Sequence, residues 1–394
     1  QWVWRLRPER GRTKTGREGC QNHTGRERRK GWWHMEVSRN RIKGIAINRK
    51  RVLEGAFFLL VMVLSFYTIF HGQDMEQIRH ALGRLSPLSL CAAMAVALFF
   101  VSAEGIMIYY LLRSLNGRSS LGRCICYSFI GFFYSGITPS ATGGQPMQLY
   151  YMSRDDNRLS ESSVVLMTVA LIYKLVLVLI GIAALVFWQK PLRVYLEEYF
   201  PLFLLGLALN TLLVAILLAV MLAPATMKRI ISGIEGLLVR MRILPESGTR
   251  QEKTAQFIDG YQGAVRFLLA HKGKVLAVCL FTFVQRASVF VLTWIIYLGF
   301  SLEGKDGLTI MLLQASVYIA VDMLPVPGAQ GITEVMYRGV FGGIFTGEYL
   351  MPSLYVTRGI NFYFVLVVSL AVVVLNHLYV RRRKGGGLYT DRPF

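Results

Sequence analysis

Seven ionisable residues fall inside apolar stretches of this chain: Glu104, Lys174, Arg286, Asp322, Glu334, Arg338 and Arg358. A charge in a low-dielectric medium is costly, so such residues face a partner or a polar cavity. Lys174 and Arg286 sit near the centres of their apolar runs, too deep for easy reach to an interface. Cations held there can neutralise a phosphate, and the carboxylates of Asp322 and Glu334 can receive an ammonium group. Glu334 and Arg338 are four residues apart, one helical turn, so pairing with each other is the alternative role for both. A structural ion pair is the competing reading for every one of the seven.

Two stretches interrupt the apolar pattern. The first is TPSATGGQPMQLYY, residues 138–151, with Pro139, Gly143, Gly144 and Pro146. The second is LPVPGAQGITEV, residues 324–335, with Pro325, Pro327, Gly328 and Gly331. Paired Pro/Gly breaks in corresponding places of two halves point to a transport site near the bilayer midplane. Irregular backbone at that depth is tolerated only where protein or a water-filled cavity surrounds it. Glycine permits tight turns and close approach, and Pro146 suits the first turn of a following helix. Free N–H groups at a helix start attract anions such as phosphate. A pair of kinks that lets helices pack is the plainer alternative. The candidate substrate-binding set is these eight Pro and Gly residues, with Gln145, Gln148, Lys174, Arg286, Asp322, Glu334 and Arg338.

Catalytic chemistry has little to work with. There is no HExxH, GxSxG or P-loop pattern. The five cysteines, Cys20, Cys91, Cys124, Cys126 and Cys279, form no CxxC pair. The expectation is no disulfide framework, no metal site and no cofactor.

The elements that would position these residues are apolar helices. The 394 residues are 54% hydrophobic and 17% charged, and several apolar runs approach the ~20 residues needed to span a bilayer. Spans are predicted at about 55–70, 88–112, 163–188, 201–223, 275–300 and 354–380, with apolar pieces at 121–152 and 308–345 around the breaks. The insert at 224–274 reads as two amphipathic helices on the cytoplasmic surface: Ile230, Ile234, Leu237, Leu238 and Met241 share one face, and Phe257, Tyr261, Val265 and Leu268 another. A solvated helical hairpin is the other reading. Residues 1–50 are basic and expected to be disordered, with the working protein starting at Met35.

The net charge of +21 suggests nucleic acid in isolation, but basic residues also collect in cytoplasmic loops. Placing residues 1–50, 113–123, 153–162, 224–274 and 381–394 inside gathers 34 of the 44 Lys/Arg there, against five in the loops left outside. No nucleic-acid partner is therefore expected, and both termini are assigned to the cytoplasm. This orientation makes the two broken pieces enter and leave on opposite sides. The fold class that follows is all-α: a polytopic helical membrane protein with two inverted repeats, each containing a re-entrant Pro/Gly-broken hairpin. The first membrane repeat covers 51–223, the second half 275–380, and 381–394 is a basic tail.

TPSATGGQPMQLYYM and LPVPGAQGITEVMYRGVFG resemble the two signature breaks of the lysylphosphatidylglycerol synthase transmembrane region, also called the flippase-like family. The resemblance covers roughly residues 50–383. It implies a lipid flippase of the bacterial cell membrane, acting on an anionic or aminoacylated phospholipid such as lysyl-phosphatidylglycerol. In the full-length synthases this module moves the charged lipid outward and lowers sensitivity to cationic peptides. Two departures bear on substrate. Gln145 and Gln148 stand where many members have an acidic residue and an Arg, and Gly328-Ala329 stands where a Gly pair is common. The synthases also carry a large soluble C-terminal domain, for which the 14 residues after Val380 leave no room. A translocase is therefore expected, partnered by membrane phospholipid and by a separate aminoacyl-lipid synthase or glycolipid enzyme. A phosphatidylglycerol lysyltransferase and a non-transporting scaffold are the rival readings.

Overall fold

The computed structural model describes residues 83–138, 141–223, 248–324, 331–345 and 347–385, with a few isolated positions between them. All the described regular structure is helical. The candidate span at 55–70, Pro139, Pro325, Pro327 and Gly328 lie outside the described residues, as does nearly all of 224–247.

Among the described residues, five helical stretches are long and apolar enough to cross a membrane: 87–114, 159–187, 189–222, 272–299 and 350–378. The chain is a multi-pass membrane protein. In chain order the helices are α1 (Pro87–Ser114), α2 (Leu121–Ile137), α3 (Gly144–Arg154), α4 (Leu159–Phe187), α5 (Gln189–Leu196), α6 (Phe200–Leu222), α7 (Gly248–Ala270), α8 (Lys272–Gly299), α9 (Gly307–Val321), α10 (Ile332–Phe341), α11 (Leu350–Arg358) and α12 (Val365–Gly385). Their starts follow ordinary capping chemistry. Pro87 opens α1 and Pro201 opens α6, where a missing N–H costs nothing. Ser120 caps α2, accepting from the Arg123 N–H, and Asp306 caps α9, accepting from the Thr309 N–H at 3.2 Å.

α1 and α8 pack along each other at the centre. The broken pair α2/α3 packs on α1, α4 and α12, and the pair α9/α10 on α8, α6, α4 and α11. Small residues bring backbones close, as membrane helix packing favours. A Cβ on Gly206 of α6 would lie 2.3 Å from the Ile319 carbonyl of α9, so only glycine fits that crossing.

Two segments differ from their sequence expectation. Residues 189–200, expected as a loop, form α5 and a short 3₁₀ turn at Glu197–Tyr199. Leu192 and Leu196, four apart, are fully buried there, and Trp188 stacks on Tyr195, so a one-sided apolar pattern over eight residues sufficed. The final span is also irregular: six residues, Gly359–Phe364, form a π-helical stretch between α11 and α12. Such bulges collect at functional sites. Within the insert, the Tyr261, Val265 and Leu268 face of α7 packs against α4, with the Tyr261 hydroxyl 3.5 Å from the Met167 sulfur. Protein, not lipid, covers that face.

Candidate functional site

The sequence of α4 places Tyr173 and Lys174 side by side in mid-helix. Asp322 caps the C-terminus of α9, one turn after Tyr318. Packing α4 on α9 brings the four together. Lys174 forms an ion pair with Asp322, and its ammonium also lies 3.4 Å from the Met323 sulfur. Tyr173 donates to the other Asp322 oxygen at 3.0 Å, and the Tyr173 and Tyr318 hydroxyls are 3.2 Å apart. The two charged side chains are only 14% and 10% exposed. A buried pair with added hydroxyl donors offsets most of the desolvation that either charge alone would suffer.

Arg286 sits at the middle of α8 and is 4% exposed. Its guanidinium lies between two aromatic rings, 3.8 Å from the Tyr173 centroid and 4.4 Å from that of Phe100, with Tyr318 at 6.0 Å. Among the described residues no carboxylate comes within ion-pair distance of it, and its Nε has no hydrogen-bond partner. Glu104 on α1 interacts with it from beyond hydrogen-bond range. Glu104 in turn accepts from the Gln148 side-chain amide at 2.7 Å. Gln148, buried on α3, thus fastens the helix after the first break to α1.

The breaks use their residues differently from the sequence argument. Gly143 has φ −80° and lies in the ordinary helical region. The left-handed residue of the first break is Ala141, at φ 54°. Thr138 holds the turn together: its hydroxyl donates to the Tyr134 carbonyl at 2.7 Å and accepts from the Gly143 N–H at 2.8 Å. Gly144 serves a close approach, because a Cβ there would lie 2.7 Å from the Gly131 carbonyl on α2. In the second break Gly331 does carry a left-handed φ of 80°, in open space, and begins α10. Gln145 and Pro146 are exposed.

Glu334 follows in the first turn of α10, where a carboxylate suits the helix dipole. Its partner is not Arg338. Arg338 points away and is exposed, and Glu334 accepts from Arg358 Nε on α11 at 2.8 Å. Packing of α10 on α11 creates this contact across 24 residues of sequence, beyond the reach of a helical-turn argument. The second Glu334 oxygen is buried without a partner.

A cavity of about 240 Å³ lies between the two broken pairs. Ser135, Gly136 and Ala141 border it from the first break, Asp322 and Thr333 from the second, and Arg358 and Asn361 from the last span. Phe100 and Tyr318, which flank Arg286, are also in its wall. The structure therefore gathers Lys174, Arg286, Asp322 and Glu334 at or just behind one cavity. It leaves Gly143, Gly144, Gln145, Pro146 and Arg338 off the cavity wall. The aromatic flanks Phe100, Tyr173 and Tyr318 escaped sequence reasoning. Two signals pointed to them: Tyr173 adjoins Lys174, and Tyr318 precedes Asp322 by one turn.

No curated protein matches the chain. A family model described as the lysylphosphatidylglycerol synthase TM region matches residues 51–369. With both breaks, the cavity and its buried ion pairs inside that match, the chain belongs to the lysylphosphatidylglycerol synthase TM region family.

Proposed function

We propose that this protein is a lipid translocase. It moves the polar headgroup of an anionic or aminoacylated phospholipid, or of another lipid-linked polar group, through the cavity between its two broken helix pairs. Arg358 in the cavity wall and Arg286 just behind it are the cations between which the lipid phosphate would dwell. The observation that carries this reading is the cavity itself: both breaks border it, and buried charges of both signs stand at or behind its wall. A headgroup leaving water needs such replacement partners, because unpaired charge in low dielectric is too costly.

Two inverted repeats with re-entrant hairpins are part of the proposal. In each half a long helix, a broken pair and another long helix follow in order. The packing repeats with them: α1 lies on α2 as α8 lies on α9, α2 on α12 as α9 on α4, and α3 on α4 as α10 on α11. Alternating access by one half rocking against the other suits that arrangement. The protein is placed in the bacterial cell membrane with both termini cytoplasmic, following the Lys/Arg distribution. An aminoacyl-lipid synthase or glycolipid enzyme on a separate chain would supply the substrate.

Purified protein reconstituted into liposomes with a head-labelled phospholipid tests the reading. Inner-leaflet label should become accessible to an impermeant quencher at a rate proportional to protein content. A rate equal to that of protein-free liposomes contradicts it.

A further inference from the structure

The two ion pairs at the cavity share one design. Asp322 borders the cavity, while its partner Lys174 stands behind it on α4. Arg358 borders the same cavity, while its partner Glu334 stands behind it on α10. Each pair shows one charge to the cavity and keeps the opposite charge in the wall. The cavity thus presents one carboxylate and one guanidinium. The third buried cation, Arg286, stands behind Phe100 and Tyr318 and outside the cavity lining.

We infer that the substrate headgroup is a zwitterion with one phosphate and one ammonium, and no net charge. This inference rests on the translocase reading above. The ammonium takes Asp322, and the phosphate takes Arg358. A ligand of that kind adds one charge of each sign to a wall that shows one of each, so every charge is matched inside. An anionic lipid leaves the Asp322 carboxylate facing a second negative charge. A headgroup with an additional ammonium brings a cation for which the wall has no open carboxylate. The remaining lining fits a small polar group: Ser135, Thr333, Gln314 and Asn361 supply hydroxyls and amides. The volume of about 240 Å³ falls below the ~300–1,000 Å³ of pockets that enclose a drug-sized ligand. It admits a headgroup while the acyl chains stay in the bilayer.

The test uses the full chain in liposomes with three labelled lipids of matched acyl chains: phosphatidylethanolamine, phosphatidylglycerol and lysyl-phosphatidylglycerol. The zwitterion should move at least about tenfold faster than either of the others, the factor that 1.4 kcal/mol of mismatch produces. The Asp322→Asn and Arg358→Gln variants should invert the order in opposite senses. Asp322→Asn should gain relative rate for phosphatidylglycerol, and Arg358→Gln should gain relative rate for lysyl-phosphatidylglycerol. Because either variant can misfold, rates are normalised to the monodisperse fraction in detergent, and ranking within one variant is the readout. Faster movement of phosphatidylglycerol or of the lysyl lipid by wild type overturns the inference and leaves the translocase reading standing. Equal rates for all three overturn it likewise. Movement of none of them overturns the translocase reading itself.

Discussion

Replacing Arg286 by Met separates a ligand-binding cation from a structural one. The guanidinium is 4% exposed and has no carboxylate within ion-pair distance among the described residues. An ion taken from water into such a site still costs several kcal/mol after relaxation. Two ring faces at 3.8 and 4.4 Å return about 2 kcal/mol each in a desolvated setting. The two contributions nearly cancel. Methionine keeps most of the contact between the side-chain stem and the rings. The folded state of Arg286→Met should therefore lie within about 1 kcal/mol of wild type, and melting curves in detergent should nearly superimpose. Transport should behave differently. A charge-assisted contact to phosphate is worth about 2–3 kcal/mol, so translocation of a phospholipid should fall roughly 30- to 150-fold. Arg286→Lys should recover part of the rate, since it restores charge but not the planar stacking. The reasoning is refuted if Arg286→Met melts far below wild type while its rate per folded molecule is unchanged.

Other perturbations follow the same logic. Asp322→Asn strands Lys174, which is 14% exposed, and should destabilise by about 3 kcal/mol, whereas Lys174→Gln with Asp322→Asn should recover most of the stability but not the transport; thermal melts of the two variants decide it. Glu334→Gln should be partly rescued in stability by Arg358→Gln and not by Arg338→Gln, because the ion pair is Glu334–Arg358. Single cysteines in 301–307 should react with an impermeant reagent from outside and those in 113–123 should not; the reverse pattern defeats the inverted orientation.

Much of the architecture was legible because membrane helices announce themselves by length and hydropathy. The apolar runs near 88–112, 163–188, 201–223 and 275–300 correspond to α1, α4, α6 and α8, and the helix ends at the first break coincide with Ile137 and Gly144. Buried charge was legible for the same reason: a lysine or arginine in a run of Leu, Val and Ile stands out. Partners were not. The Glu334–Arg358 contact joins two helices, and only three-dimensional packing brings them together. The aromatic setting of Arg286 assembles from α1, α4 and α9, three elements with no sequence adjacency. At Gly143 the local glycine reasoning failed, because hydrogen bonding took over. Thr138 supports the first turn, and Ala141, not a glycine, accepts the left-handed conformation. The helix at 189–196 was missed because its apolar face is only two turns long and rests on Leu192 and Leu196.

The central claim is that a lipid headgroup crosses through the cavity between the broken helix pairs. Asn361 lines that cavity and is half-buried on the π-helical stretch. The direct measurement is lipid translocation by Asn361→Cys in a background with the five native cysteines replaced, before and after reaction with a bulky thiol reagent. The account predicts that modification reduces translocation to the protein-free rate, while the cysteine-free parent is unaffected by the same reagent. Undiminished translocation by fully modified protein would contradict it.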